Sequence, residues 1–254
     1  MHPFLKMVKV ETKLFLRDSA TVTFGVLFPA GLLLGLGAIP ALRELSPETG
    51  GLRSLDIWAP TALVFGMVMI AVQHIPAVIA TYRERGILRR LSTTPAHPRS
   101  VLLAQMIVAF ASVIVSATLM IFVAWMVLDI APPERPLKFV VAVVVGYAAL
   151  LGLGTISAAV ARTSSTANQI GTLLFVALMF FGGAFLPRVL MPDVLREVGE
   201  FIPPGLQALT AAWSVDAGEV TATAGGQPFW LQIAIMAGIA VTASAIAAKL
   251  FRWE

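Results

Sequence analysis

Charge is absent from six long stretches of this sequence and is gathered into the short segments between them. The uncharged stretches cover Ser19–Leu42, the residues between Asp56 and Arg83, Ser100–Leu128, Phe139–Ala161, Thr163–Pro187 and Val220–Ala248. As helices rising 1.5 Å per residue, runs of roughly 18 or more apolar residues cross a hydrocarbon layer about 30 Å thick. Strands are excluded, because a membrane barrel needs alternating segments rather than continuous apolar runs. The expected fold is therefore an all-α integral membrane protein with six transmembrane helices. Its spans are expected over about 20–40, 58–80, 101–128, 139–161, 168–187 and 229–248.

Composition agrees: 58% of residues are apolar and 13% charged, against about 25% charged in an average soluble domain. With no cysteine there is neither a disulfide framework nor a thiolate metal site. A sequence pI near 9.9 would point to nucleic acid in a soluble chain. In a membrane chain it reads instead as orientation signal and affinity for anionic lipid, so no nucleic-acid partner is expected. The first apolar stretch is too long for a signal-peptide core and is expected to be a retained span.

Loop charges set the expected orientation. Lys6, Lys9, Lys13, Arg17, Arg83, Arg85, Arg89, Arg90, Arg99, Arg162, Lys249 and Arg252 fall on one side. Only Arg43, Arg53, Arg135, Lys138, Arg188 and Arg196 fall on the other. The positive-inside rule makes the first side, with both termini, cytoplasmic.

Three segments between the spans carry further information. Over residues 3–18, Lys6, Lys9, Lys13 and Arg17 share one helical face, with Phe4, Met7, Val8, Leu14 and Phe15 opposite. That pattern predicts an interfacial amphipathic helix with its apolar side in the acyl boundary. Over 82–91, a helix would align Glu84, Ile87, Leu88 and Leu91 among four arginines, before Pro95 and Pro98 turn the chain. An apolar stripe outside the membrane needs something to pack on, either the membrane surface or another protein, and a docked partner fits better than a purely topogenic loop. Over 188–213, Pro192, Pro203, Pro204 and Gly205 break an apolar segment too interrupted to span. Two short helices dipping into the outer leaflet are expected, one around Val194–Ile202 and one around Leu206–Trp213.

Several chemistries are missing. No carboxylate or cation lies inside a span to couple transport to an ion. Gln73 and His74, beside Pro76, and Asn168 and Gln169 are the intramembrane polar candidates. A lone histidine there reads as hydrogen-bonded packing; a proton-coupled carrier or channel using His74 and Gln73 is the competing class. No histidine cluster suits a metal. None of the five lysines follows a glycine, so these residues contain no Gly-Lys-Ser/Thr phosphate loop. ATP, if it drives this chain, is hydrolysed on another.

The amphipathic lead-in, six spans, Arg83-Glu-Arg-Gly-Ile-Leu-Arg-Arg-Leu-Ser-Thr-Thr-Pro95 after the second span and Gly182-Gly-Ala-Phe-Leu-Pro187 with Pro192 and Pro203 after the fifth resemble type-2 ABC exporter permeases. Within that group the size is similar to the daunorubicin-resistance branch of multidrug and antibiotic exporters. The resemblance implies a bacterial inner-membrane permease that moves a hydrophobic drug, antibiotic or lipid-like substrate outward. It also implies two copies of this chain and two copies of an ATP-binding subunit, which holds the ATP and magnesium. Residues 82–91 would be the coupling helix, with Glu84, Arg85, Gly86, Leu88 and Leu91 its transmission surface. Phe24, Phe28, Phe65, Met67, Phe175 and Phe180 would line the substrate path. Pro187, Pro192, Phe201 and Pro203 would form the outer gate, and Gly31 and Gly35 the dimer interface, at a spacing that permits close helix approach.

Overall fold

The computed structural model describes residues 3–46, 52–92, 98–182, 185, 192–214, 216 and 227–250. These residues are almost wholly helical. The exception is a two-residue hairpin in which β1 (Leu45–Ser46) pairs antiparallel with β2 (Leu52–Arg53). Helix α1 spans Pro3–Arg17, α2 Ser19–Gly37 and α3 Ser54–Glu84. A short α4, Ile87–Ser92, follows. Then come α5 (Pro98–Leu128), α6 (Pro136–Val160) and α7 (Ser164–Phe181). Two short helices, α8 (Asp193–Gly199) and α9 (Leu206–Trp213), precede α10 (Phe229–Leu250).

Six of these helices, α2, α3, α5, α6, α7 and α10, are long and apolar enough to cross a membrane. The protein is an all-α integral membrane protein. Its helix ends depart from the sequence expectation at three places. The first span stops at Gly37 rather than 40, the second runs unbroken from Ser54 to Glu84, and the fifth covers Ser164–Phe181 rather than 168–187. At the end of the second span and the start of the fifth, polar or charged residues are helical too, which an apolar window cannot see, whereas the first span ends early in a turn at Ala38–Ile39.

Helix α3 is the centre of the bundle. About 72% of its apolar window is buried, against 22% for α7 at the periphery. Leu63, Met67, Ile70 and Ala71 are wholly enclosed, and α2, α5, α6 and α7 all pack on it. Helix α10 lies along α6 on the far side of the bundle.

Both α2 and α3 contain a widened turn, at Val22–Leu27 and Met69–His74, where the backbone bonds five residues apart, as in Phe28 N–H to Thr23 O and Ile75 N–H to Ile70 O. Each turn ends just before a proline, Pro29 or Pro76. A proline has no N–H and its ring crowds the carbonyl four residues earlier. The widened turn moves that carbonyl aside. In α3 the displaced carbonyls meet glycines of the neighbouring helices: Ala71 O abuts Gly154 of α6, and Val72 O lies 2.5 Å from where a Gly171 Cβ of α7 would stand. Only glycine leaves room for this approach. We expect Gly154→Ala to destabilise the bundle by about 1–3 kcal/mol through overpacking, read as a lower unfolding temperature in detergent. Gly31→Ala and Gly35→Ala, whose Cβ positions are open, should leave it unchanged or slightly higher.

Candidate functional site

The end of the bundle where α1, the α3–α4 corner and the α6–α7 corner meet is built from charged groups that hydrogen-bond across helices. Helix α3 stops at Glu84, and Gly86 takes φ +64°, a left-handed conformation that other residues reach only with strain. Residues 82–91 are therefore two helices with a hinge between them, and not the single helix expected from the periodicity. Glycine at the turn overrides the periodic pattern. Arg85 and Arg90 are exposed. Leu88 is only 2% exposed, so the stripe residue expected to meet a partner is already covered by the chain itself. Of Leu91 the backbone lies in α4, and its side chain is outside the described residues.

Glu84 is exposed, yet its carboxylate is engaged within the chain. Its carboxylate accepts from the Ser164 backbone N–H at 3.0 Å and from the Ser164 hydroxyl at 2.9 Å, at the first turn of α7. Its neighbour Arg83 donates to Ala158 O at 3.1 Å and Ala161 O at 2.7 Å, at the end of α6. An anion thus sits on a helix N-terminus and a cation on a helix C-terminus, each matched to the local dipole.

Helix α1 lies on this corner through a buried acid. Glu11, 3% exposed, accepts from the Tyr82 hydroxyl at 2.9 Å and from Gln105 Nε2 of α5. Burial raises its pKa above the ordinary carboxyl value, an effect only partly offset by those two hydrogen bonds. Phe15 is buried on the same side. Part of the face expected to rest in the acyl boundary therefore rests on protein, because the lone acid of α1 finds its donors there, while Leu14 of that face stays exposed together with Leu5, Val10 and Leu16. Sequence periodicity gave Glu11, Tyr82 and Gln105 no role; the one usable signal was an acid set into an otherwise basic and apolar helix.

Beyond α1, the Asp18 carboxylate caps α2, accepting from the Thr21 backbone N–H at 3.2 Å and the Thr21 hydroxyl at 2.6 Å. His74 Nδ1 lies 2.8 Å from Thr21 Oγ1 and 3.2 Å from Asp18 Oδ2. Since the Thr21 proton goes to Asp18, Nδ1 is the protonated ring nitrogen that donates to this pair. Burial raises the Asp18 pKa, but the Thr21 hydrogen bonds and the facing His74 outweigh it and leave it below the ordinary value. His74 thus has the hydrogen-bonded packing role expected, with Phe15 edge-on at 5.3 Å. Its partner was not foreseen, because Asp18 lies just outside the first span. Asp18, His74, Gln73, Tyr82, Gln105 and Asn168 border a cleft of about 540 Å³.

Toward the opposite end, aromatic rings form a continuous row. Phe24 meets Phe28 at 6.1 Å, Phe28 meets Phe65 at 5.9 Å, and Phe65 meets Phe175 at 6.1 Å and Phe185 at 5.8 Å. The structure brings four of the six expected path residues together across α2, α3 and α7. Phe180 instead pairs with Phe181. Met67 is corrected: at 0% exposure it points into the core, because it lies on the enclosed face of α3. Gly31 and Gly35 are exposed on α2.

The two short helices α8 and α9 fall where Val194–Ile202 and Leu206–Trp213 were expected. Pro192 precedes α8, and Pro203 stands in the turn between them. Phe201 is exposed, whereas α9 is clamped to the bundle by Glu134 N–H to Trp213 O at 2.9 Å. Pro187 lies outside the described residues. No group of three or more metal-ligating side chains occurs among the described residues.

The sequence pattern of the family described as ABC-2 type transporter matches residues 3–205. The chain is also similar to a Bacillus subtilis (strain 168) protein named "Putative transport permease YvfS". The two are 25% identical over 176 residues, covering 68% of this chain and 67% of the relative.

Glu11 makes a pH signature. With its folded pKa raised, its contribution is full below the ordinary carboxyl value and is lost as pH rises through the raised one. Unfolding temperatures measured from about pH 5 to pH 8 should fall more for the wild type than for Glu11→Gln, which cannot ionise. Equal slopes would contradict the assignment.

Proposed function

The chain belongs to the ABC-2 type transporter family, and from that premise we propose that it is the permease of an ATP-driven exporter. Family membership makes it a multi-pass transport subunit of an ABC transporter rather than an enzyme. In the proposed assembly two copies pair, and two ATP-binding subunits dock at the basic, cytoplasmic end. A hydrophobic substrate passes outward through a bacterial inner membrane.

The observation that carries this reading is the pairing of uncharged spans with a basic corner and no phosphate loop. A ligand or ion can shift a conformational equilibrium only by its differential affinity for the two states. These spans hold no ion-coupling charge, and the sequence holds no nucleotide loop. The drive must come from a partner at an end.

Other features support the same assembly. Ser165, Asn168, Gln169 and Thr172 form an exposed polar row on α7, which lipid would penalise and a shared central route would not. Gly31 and Gly35 offer a small-residue surface on α2 for a second copy. The row Phe24–Phe28–Phe65–Phe175 presents an apolar wall beside it. The exposed Arg85 and Arg90 give the ATP-binding subunit a basic face.

In proteoliposomes, the chain with its ATP-binding subunit should move ethidium or a fluorescent phosphatidylethanolamine only when ATP is supplied. The chain alone should move neither. Movement by the chain alone under a proton gradient would favour the carrier reading centred on His74. Arg85→Glu combined with Arg90→Glu should reduce capture of the ATP-binding subunit roughly tenfold, as expected for reversed charges at an interface rim.

A further inference from the structure

We infer that Arg83 and Glu84 form the joint that passes motion of α4 into α6 and α7, and that Glu84 is a positioning residue rather than part of the docking surface. The inference rests on the proposed drive by a partner at this corner. It begins with the hinge: Gly86 turns the chain between α3 and α4, and because its N–H donates to Arg83 O at 3.0 Å a push on α4 arrives at the end of α3. From there it needs a route into the rest of the bundle.

That route is the pair of side chains directly before the hinge. The connection from α6 to α7 is short: α6 ends at Val160, and Thr163 already caps α7 by accepting from the Thr166 backbone N–H at 3.1 Å. Arg83 holds the near side of this connection through Ala158 O and Ala161 O. Glu84 holds the far side through both donors of Ser164. Two adjacent residues of α3 thus straddle the corner between two spans, with opposite charges matched to opposite helix ends. Displacing the end of α3 carries the ends of α6 and α7 with it. Helix α7 holds the exposed polar row and Phe175, so the joint leads from the docking corner to the wall of the proposed route.

An ordinary stabilising cap would do less. It would hold α7 in place without determining whether α4 and α7 move together. A docking residue would also behave differently, since its loss would release the ATP-binding subunit.

Ser164→Pro separates these roles without touching α3 or α4. Proline is favoured at the first helical position, and Thr163 before it is already extended, with φ −128° and ψ 157°. The substitution removes both donors that Glu84 uses and should leave the fold intact. With spin labels at Arg90→Cys and Gln169→Cys in nanodiscs, the wild-type background should give a narrow α4–α7 distance distribution. Ser164→Pro and Glu84→Ala should each broaden it, and Glu84→Gln, which can still accept one N–H, should largely restore it. The distance measurement needs no motor, so failure of the joint is distinguishable from failure of the proposed function. In the assembled transporter, both disruptive variants should keep the ATP-binding subunit bound while ethidium moved per ATP hydrolysed falls roughly tenfold, the loss expected for a charge-assisted pair. Unchanged distances in Ser164→Pro would overturn the joint. So would capture lost in Glu84→Ala but wild-type behaviour in Ser164→Pro.

Discussion

A backbone amide inside hydrocarbon has no water to turn to, and this constraint organises the whole molecule. It forces the six uncharged stretches into helices. It also makes every interruption of those helices costly unless a neighbour compensates. The widened turns before Pro29 and Pro76 persist because displaced carbonyls find small neighbours, Gly154 and Gly171 above all. The same constraint pushes charge to the ends, where Arg83, Glu84, Glu11 and Asp18 find donors or acceptors on other helices.

Those ends are where the bundle can receive work. In the proposed mechanism His74 serves only as a hydrogen-bonded partner of Thr21 and Asp18, and the bundle is moved from outside the hydrocarbon. The corner formed by α1, α3, α4, α6 and α7 is cross-linked by side-chain hydrogen bonds. Glu11 ties α1 to α3 and α5. Asp18 ties the start of α2 to His74. Arg83 and Glu84 tie α3 to α6 and α7. Each link is a polar contact at the margin of the apolar layer, where a hydrogen bond to a charged group keeps most of its strength.

The fold was legible in the sequence because its signal is coarse: long uncharged runs, punctuated by Pro and Gly, admit few alternatives. Even the two short helices around Val194 and Leu209 follow from local breaks and periodicity. The site was legible only in part. The importance of 82–91 could be read, but not its hinge, since one glycine in a left-handed turn outweighs eight residues of helical pattern. Nor could the bonds of Glu84 to Ser164 or the burial of Leu88 and Met67 be read, because those depend on helices far away in sequence. Glu11 and Asp18 carry no periodic signal, yet both are held by residues more than fifty positions distant. Long-range polar pairing leaves no periodic trace.

The central claim is that the drive enters at the corner bearing α4 and that this corner faces the cytoplasm. The sequence has no native cysteine, so a single Arg85→Cys can be probed without background. A membrane-impermeant maleimide should label it in inside-out vesicles and leave it untouched in right-side-out ones, with Arg135→Cys giving the reverse. Labelling of residue 85 from the outer face would contradict the account.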